Sequence, residues 1–335
     1  MRYTKLPHTD IEVSVIAMGC WALAGDMTWG DQAEQDSIDA ARAALDAGIN
    51  FFDTAPMYGD GLSEQSLGNG LKGLRDKAVV ATKIGPDSMT AELATKSVEK
   101  SLADLNMDHI DLIQVHWPSH EISHEETWGA LEKLKEQGKV RAMGISNFGP
   151  KDLADFMKVP GSNLATSNQL PYSMLARAIE FEIIPACEKA GMGILCYSPL
   201  MWGLLADKYM DADEVPLGRA RSRHFSAEKR KLTRHGEAGC EEEVFAALAQ
   251  IRNIAKRLNT RMQDLAIAWL LHQPAVTAVL AGIRVPQQAT DNAKAADLQL
   301  DTATLSELDQ ATAAVKQHLG SNPDLWQGGS DSRYR

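Results

Sequence analysis

The sequence predicts an eight-stranded parallel β/α barrel, a (β/α)8 TIM barrel, and three observations lead there. Short apolar runs alternate with segments of helical period along most of the chain. Eight such runs can be counted, enough to close a barrel whose helices cover its outer face. The segment after the first run reads AMGCWALAGD, without the GxGxxG turn that an open dinucleotide-binding sheet places there. That absence disfavours a doubly wound open sheet, the structural alternative.

The strand candidates start near Val15, Phe51, Val79, Leu112, Ala142, Thr166, Ile194 and Val276. After the first comes DSIDAARAALDAG, whose spacing sets Ile38, Ala41, Ala44 and Leu45 near one helical face before Gly48 ends the pattern. SEQSLGNGLKGL then separates INFFDTA from KAVVATK, and ATKSVEKSLADLN leads to IDLIQVHW. EETWGALEKLKEQG precedes VRAMGIS, KDLADFMKV precedes ATSNQLP, and FEIIPACEKAG precedes MGILCYSPL. After a longer interruption, AVTAVLAG is followed by QQATDNAKAAD.

Dividing 335 residues by about 150 per domain suggests two domains, but eight βα units account for 1–335 as one barrel domain. Two stretches depart from the repeat. Residues 201–240 form a long loop insertion after the seventh barrel strand. Residues 319–335 form a tail, whose glycines and proline oppose a long helix and whose Trp326 supplies an apolar anchor. Packing across the barrel opening and fraying are both open to it.

Hydrophobic residues at 44% and charged residues at 24% exclude disorder, collagen and coiled coil. With 45 acidic against 34 basic side chains the net charge is -11, which opposes general nucleic-acid binding. Residues 219–234 run against that balance, with Arg219, Arg221, Arg223, Lys229, Arg230, Lys231 and Arg234 beside Glu228 as the only acid. They read either as a solvated loop or as a contact for a ligand phosphate or partner. The start MRYTKLPHTD lacks a basic segment ahead of an apolar stretch, and no run approaches about 18 apolar residues, so a cytoplasmic location without membrane insertion is expected. Cys20, Cys187, Cys196 and Cys240 show neither CxxC nor Cys/His spacing, which points to reduced structural thiols and no metal site. No repeat or coiled coil sets an oligomeric state, and a monomer is the expectation.

In a barrel, the C-terminal strand ends converge on one mouth, so polar residues there carry more weight than scattered surface charge. Asp53 ends INFFD, Lys83 ends AVVATK, His116 ends DLIQVH, and Tyr58 follows the second strand closely. Each alone has a structural explanation; their convergence favours chemistry. A buried Lys83 needs an anionic partner, Asp53 supplies it, and the ammonium favours phenolate character at Tyr58, whose free pKa is near 10. Tyr58 then suits proton donation to a carbonyl, with His116 orienting the oxygen. None of these groups is a redox centre, so reduction requires an organic cofactor.

Across FFDTAPMYGDGLSEQSLG, VVATKIG, HIDLIQVHWP, GKVRAMGISNF, NQLPYSML, GILCYSPLMWGLLADKY and AGIRVPQQATDN the chain resembles the aldo-keto reductase family. The resemblance is strongest to the bacterial branch related to potassium-channel beta subunits and general stress reductases. It implies hydride transfer between C4 of a nicotinamide cofactor and a small aldehyde, ketone, methylglyoxal-like or sugar carbonyl. Asp53, Tyr58, Lys83 and His116 match the family's catalytic tetrad, with Tyr58 as general acid/base. Ser146, Asn147 and Gln169 match positions that hold the nicotinamide amide, and Tyr197 the aromatic platform for its ring. Ser198, Leu200 and Gly203 match the pyrophosphate pocket.

Gly282, Arg284, Gln288 and Asn292 match the adenosine and phosphate region, where Gly282 permits close backbone approach and Pro286 can start a helix that meets an anion. Some branches carry a basic residue where this chain has Gln288; Arg284 and the basic insertion can compensate. NADPH is therefore the expected cofactor, with NADH the alternative. Trp21, Trp29 and Trp117, with Tyr58 and His116, are the expected substrate walls, and Trp202, Trp326 and Arg333 are further candidates. The same tetrad also serves an aldose or alcohol dehydrogenase, and the channel-subunit likeness allows a nicotinamide-binding regulatory role.

Overall fold

The chain, described over residues 1–335 in a computed structural model, begins with a hairpin that the periodicity did not reveal. Its strands β1 (Tyr3–Lys5) and β2 (Glu12–Ser14) pair antiparallel. Eight parallel strands follow: β3 (Ile16–Gly19), β4 (Phe51–Asp53), β5 (Val79–Ile84), β6 (Ile110–Val115), β7 (Val140–Ser146), β8 (Ser167–Pro171), β9 (Gly193–Tyr197) and β10 (Val276–Gly282). They close in sequence order, with β10 pairing both β9 and β3. This is the (β/α)8 barrel expected from the repeat.

Two apolar clusters hold it together. Leu6, Ile11 and Val13 of the hairpin join Ala17, Phe51, Val79, Leu112, Leu195 and Leu280 in the barrel's own core. Phe51 and Val79 begin their strands, so the hairpin closes the end of the barrel opposite the mouth. A much larger cluster lies between the strands and the surrounding helices. Each fully buried aliphatic or aromatic side chain contributes about 1.5–3 kcal/mol of transfer free energy.

The helices alternate with these strands: α1 (Glu34–Asp46), α2 (Leu62–Gly70), α3 (Ala91–Leu105), α4 (His124–Glu136), α5 (Pro150–Phe156) and α6 (Ile183–Lys189). Thr90 and Ser123 cap α3 and α4 by accepting the Leu93 and Glu126 amides. The buried face of α1 is rotated from the expected one: Ala40, Ala41 and Ala44 are buried, whereas Ile38 and Leu45 are half-buried. Small residues face inward there because α2 comes close, with Gly70 against Ala41.

The insertion 201–240 consists of turns and short 3-10 segments, leading to α7 (Glu241–Arg257) and α8 (Met262–Leu271) before β10. After β10 come α9 (Pro286–Ala295), started by its proline, then α10 (Thr302–Ala311) and α11 (Ala313–Leu319). The tail then turns back over the mouth. Arg223 ties it to the insertion, donating to Asn322 and Leu319 carbonyls at 3.0 and 3.2 Å while also pairing Glu237. The Lys151 and Asp152 amides of α5 donate to the Arg335 carbonyl at 2.7 and 3.2 Å. No helix is long and apolar enough to cross a membrane. All four cysteines are buried and unpaired, and burial pushes the Cys187 and Cys240 thiols up to about 12.

Candidate active site

Strand register assembles the centre of the mouth. Lys83 on β5 lies opposite Gln114 on β6, and Asp53 ends β4 one strand away. Lys83 donates to Asp53 Oδ1 at 2.6 Å and to the Thr54 carbonyl at 2.8 Å. Asp53 Oδ2 accepts from Gln114 and Gln169 at 3.0 and 2.8 Å. Both charged groups are buried, so each supplies what the other loses by leaving water. Burial alone would lower the Lys83 pKa, but Asp53 and Tyr58 outweigh it and raise it.

Tyr58 stands over this pair, with the Lys83 ammonium 5.2 Å from its ring centroid. Desolvation pushes the Tyr58 pKa above its ordinary 10.0, and Lys83 opposes that shift without reversing it. The expected pull toward phenolate is therefore present but is the smaller effect, because the hydroxyl sits in a drier place than the sequence could reveal. His116 meets the Tyr58 ring edge-on at 6.0 Å between centroids. Burial, Lys83 and Arg333 hold its pKa well below 6.5, so the imidazole is neutral at pH 7. Its Nδ1 is buried without a partner, while Nε2 is neither buried nor hydrogen-bonded.

These residues open into a cleft of about 660 Å³, a size suited to a ligand larger than a small carbonyl compound. Asp53, Tyr58 and His116 line it, whereas Lys83 lies beneath the surface. Trp21, Trp29 and Trp117 form walls: Trp21 stacks toward Tyr58 at 6.3 Å and meets Trp29 edge-on at 5.5 Å. Ser146, Asn147, Gln169, Tyr197, Ser198, Leu200, Gly203, Gly282, Arg284 and Gln288 also line the cleft. Asn292 does not; it is buried in α9, its amide turned back toward the Gly282 carbonyl at 3.5 Å.

Many of these polar groups are engaged with the protein itself. Ser146 donates to the Gln169 carbonyl at 2.9 Å. Asn147 Oδ1 accepts from the Tyr197 hydroxyl at 2.9 Å and also from Tyr334 of the tail. Gln288 accepts from the Arg284 amide at 2.7 Å. Arg284 donates to the Trp29 and Asp31 carbonyls, both at 2.6 Å, and to Gln32 at 2.8 Å. Arg219 and Arg221 grip Thr28 of the same loop, at 3.1 and 2.8 Å. The loop after β3 is thus roofed onto both the insertion and the loop after β10.

The cleft is cationic in an acidic protein. Lys208, Arg219, Arg221, Arg234, Arg284 and Arg333 line it, against Asp26 and the already paired Asp53. Lys208 and Arg234 take part in no ion pair or side-chain hydrogen bond, and burial, with the charges of Arg219 and Arg284 adding to it, lowers the Lys208 pKa. Of the basic run, Arg223 and Arg230 are instead spent on Glu237, Glu241 and Asp213. Also lining the cleft, Ser198, Met201 and Trp202 have positive φ without being glycine, a strained backbone that persists only where the surrounding structure fixes it and that clusters at ligand sites. A Cβ at Gly282 would meet nothing within 4 Å, so the rim beside Gly19 is an open cradle. A cationic trough that carries glycine at Gly19, Gly203 and Gly282 beside an aromatic face fits a phosphorylated, ring-bearing cofactor.

Four contributors escaped sequence reading. Gln114 sits inside the apolar run DLIQVH and reads as strand interior. Lys208 is a lone lysine in a loop, and Gln263 lies near the start of α8 and faces the cleft only through the fold. Tyr334 meets Trp117 edge-on at 5.3 Å, a contact spanning most of the chain that no local pattern encodes.

Residues 15–313 match the Aldo/keto reductase family model. The chain is 35% identical to the aldo-keto reductase YhdN of Bacillus subtilis, over 86% of each chain. It is 30% identical to an NADH-specific methylglyoxal reductase of Escherichia coli, covering 95% of this chain and 100% of that one. Among solved structures, a glycerol dehydrogenase from Gluconobacter oxydans superposes with TM-score 0.78 at 30% identity, over 96% and 97% of the two chains. An aldo/keto reductase from Klebsiella pneumoniae, solved with NADP and acetate, gives TM-score 0.74 at 25% identity, over 92% and 95%. The protein belongs to the aldo/keto reductase family and is an NAD(P)H-dependent oxidoreductase.

Proposed function

We propose that the protein reduces small aldehydes and ketones with NADPH, using Tyr58 as the proton donor. The observation that carries this reading is the joint placement of Tyr58, His116 and the Asp53–Lys83 pair at the floor of one cationic cleft. When bound, the nicotinamide supplies a hydride to the carbonyl carbon. Tyr58 gives its hydroxyl proton to the carbonyl oxygen, and the Lys83 ammonium stabilises the phenolate left behind. Asp53, fixed by two glutamine amides, keeps Lys83 charged and oriented. Neutral His116, protonated on Nε2, donates to the same oxygen as its charge grows. Trp21, Trp29 and Trp117 exclude water and wall the carbonyl substituents. In the reverse direction the Tyr58 phenolate, stabilised by Lys83, takes the proton from an alcohol.

Ser146, Asn147, Gln169 and Tyr197 would hold the nicotinamide, and Ser198, Leu200, Gly203 and Gly282 the pyrophosphate. Arg284, Gln288 and the unpaired Lys208 and Arg234 would face the adenosine phosphate. Those two free cations favour NADPH over NADH, although one relative is NADH-specific. The methylglyoxal reductases of Escherichia coli support small dicarbonyls as substrates to try first.

Replacing Tyr58 by phenylalanine tests the assignment. Turnover of methylglyoxal is expected to fall by about 10²–10⁴, while NADPH affinity, read by fluorescence, stays within about threefold of wild type. Near-normal turnover would remove Tyr58 from the role.

A further inference from the structure

Asp26 lines a cleft rich in cations, yet its carboxylate pairs with none of them. Both oxygens face N–H groups instead. Oδ1 accepts the Thr28 and Trp29 amides at 2.7 and 3.0 Å, the side-chain-closed turn that aspartate favours. Oδ2 accepts the indole Nε1–H of Trp21 at 3.1 Å. The Asp26 carbonyl also accepts the Gly30 amide at 2.6 Å, so main chain and side chain fix the same turn. An anion used in this way orients its neighbours rather than neutralising charge.

The bond to Trp21 acts at the far end of that side chain. Trp21 is half-buried, lies 6.3 Å from Tyr58 with the rings 30° apart, and stands at 88° to Trp29. Trp29 is itself held beneath the Arg219 guanidinium, 5.5 Å from its ring centroid. Packing alone leaves an indole on a cleft wall several side-chain rotamers, and a hydrogen bond at Nε1 singles out one of them. The indole N–H can only donate and the carboxylate can only accept, so the contact has one sense.

We infer that Asp26 is a positioning residue: it locks Trp21 at the angle that shapes the pocket beside Tyr58, and the shape selectivity of the enzyme follows from that lock. The inference rests on reading the cleft as a carbonyl-reducing site with Trp21 as one wall. A fixed flat wall accepts a planar carbonyl compound laid along it and resists a puckered one. A wall free to turn yields to both.

The test compares benzaldehyde with cyclohexanecarbaldehyde, a flat and a puckered ring of equal carbon count, using the full-length protein and saturating NADPH. Asp26→Asn isolates the lock: the two backbone amides keep its oxygen in the turn, so its NH2 faces the Trp21 N–H, donor against donor. The ratio of kcat/KM for benzaldehyde to that for cyclohexanecarbaldehyde is expected to fall by about fivefold or more from its wild-type value. Intrinsic reactivity cancels in that comparison. Trp21→Phe, which lacks the donor, should lower the ratio as well, and adding Asp26→Asn to it should change the ratio by less than about twofold. As a readout independent of turnover, the perpendicular Trp21–Trp29 pair gives an exciton couplet in far-ultraviolet circular dichroism, identified as the part lost in Trp29→Phe. Asp26→Asn should weaken that couplet. An unchanged ratio or an unchanged couplet in Asp26→Asn, or an undiminished effect of Asp26→Asn in the Trp21→Phe background, overturns the inference. Absence of wild-type turnover with both aldehydes would instead count against the carbonyl-reductase reading, and the couplet would still decide whether Asp26 locks Trp21.

Discussion

Lys83 sets its ammonium 2.6 Å from one oxygen of Asp53, while amides from Gln114 and Gln169 occupy the other. A buried pair held from both sides has little freedom to relax when one partner is removed. The arrangement therefore orients Lys83 beneath Tyr58 more rigidly than an ion pair alone would.

Replacing Asp53 by asparagine leaves the Lys83 charge in a dry site. The variant is expected to lose about 3–5 kcal/mol of stability at pH 7, measured by urea unfolding, and most of its turnover. Because the stranded amine prefers its neutral form, its pKa falls below the unfolded value and the deficit should shrink as pH rises toward 10. A deficit independent of pH would show that Lys83 finds another anion.

Lys208 and Arg234 provide the test of cofactor choice. Changing both to alanine should raise the NADPH dissociation constant by about tenfold or more, with NADH changed by about threefold or less. Equal losses for both cofactors, in a fluorescence titration, would place these cations elsewhere than at the distinguishing phosphate.

Gly68 lies inside α2, where alanine ordinarily stabilises a helix by about 1 kcal/mol. Here a Cβ would stand 2.3 Å from the Leu105 carbonyl oxygen at the end of α3. Gly68→Ala should therefore destabilise the protein by about 1–3 kcal/mol, visible as a lower urea midpoint with an unchanged slope.

His224 is buried and donor-matched to the Leu175 carbonyl, and desolvation leads the forces that depress its pKa to about 4. Above about pH 6.5 both folded and unfolded forms are neutral at this site, so it contributes no pH dependence there. Between pH 6.5 and 4 the unfolded chain binds the proton first, and stability falls as pH falls. His224→Gln should flatten that part of the stability profile by up to about 3 kcal/mol at pH 4; an unchanged slope would assign the acid sensitivity to other groups.

Strand ends were the legible part of the site. Asp53, Lys83 and His116 each interrupt an apolar run at the end of its strand, so one sequence pattern marks both the barrel and its polar mouth. Gln114 was hidden by the same logic, since a polar residue within a strand does not announce which neighbour it meets. The β1–β2 hairpin escaped because three-residue strands are too short for periodicity. The basic run signalled its charge but not its use: Arg219, Arg221 and Arg234 face the cleft, while Arg223 and Arg230 bind acids of the insertion and its surroundings. Local sequence carries composition, and only the closed chain decides which cation stays free. Asp324 and Arg333 are nine positions apart on a turn-rich tail, and their pairing emerges only when the tail turns back on itself over Trp117.

The roof over the trough bears on time. Arg219, Arg221 and Arg284 fasten the loop spanning residues 28–32 from two sides. Lifting that roof requires these bonds to part together, a collective loop motion of microseconds to milliseconds rather than a side-chain flip. Alanine at a fastening arginine is expected to speed that opening, seen as a faster NADPH off-rate in stopped-flow fluorescence.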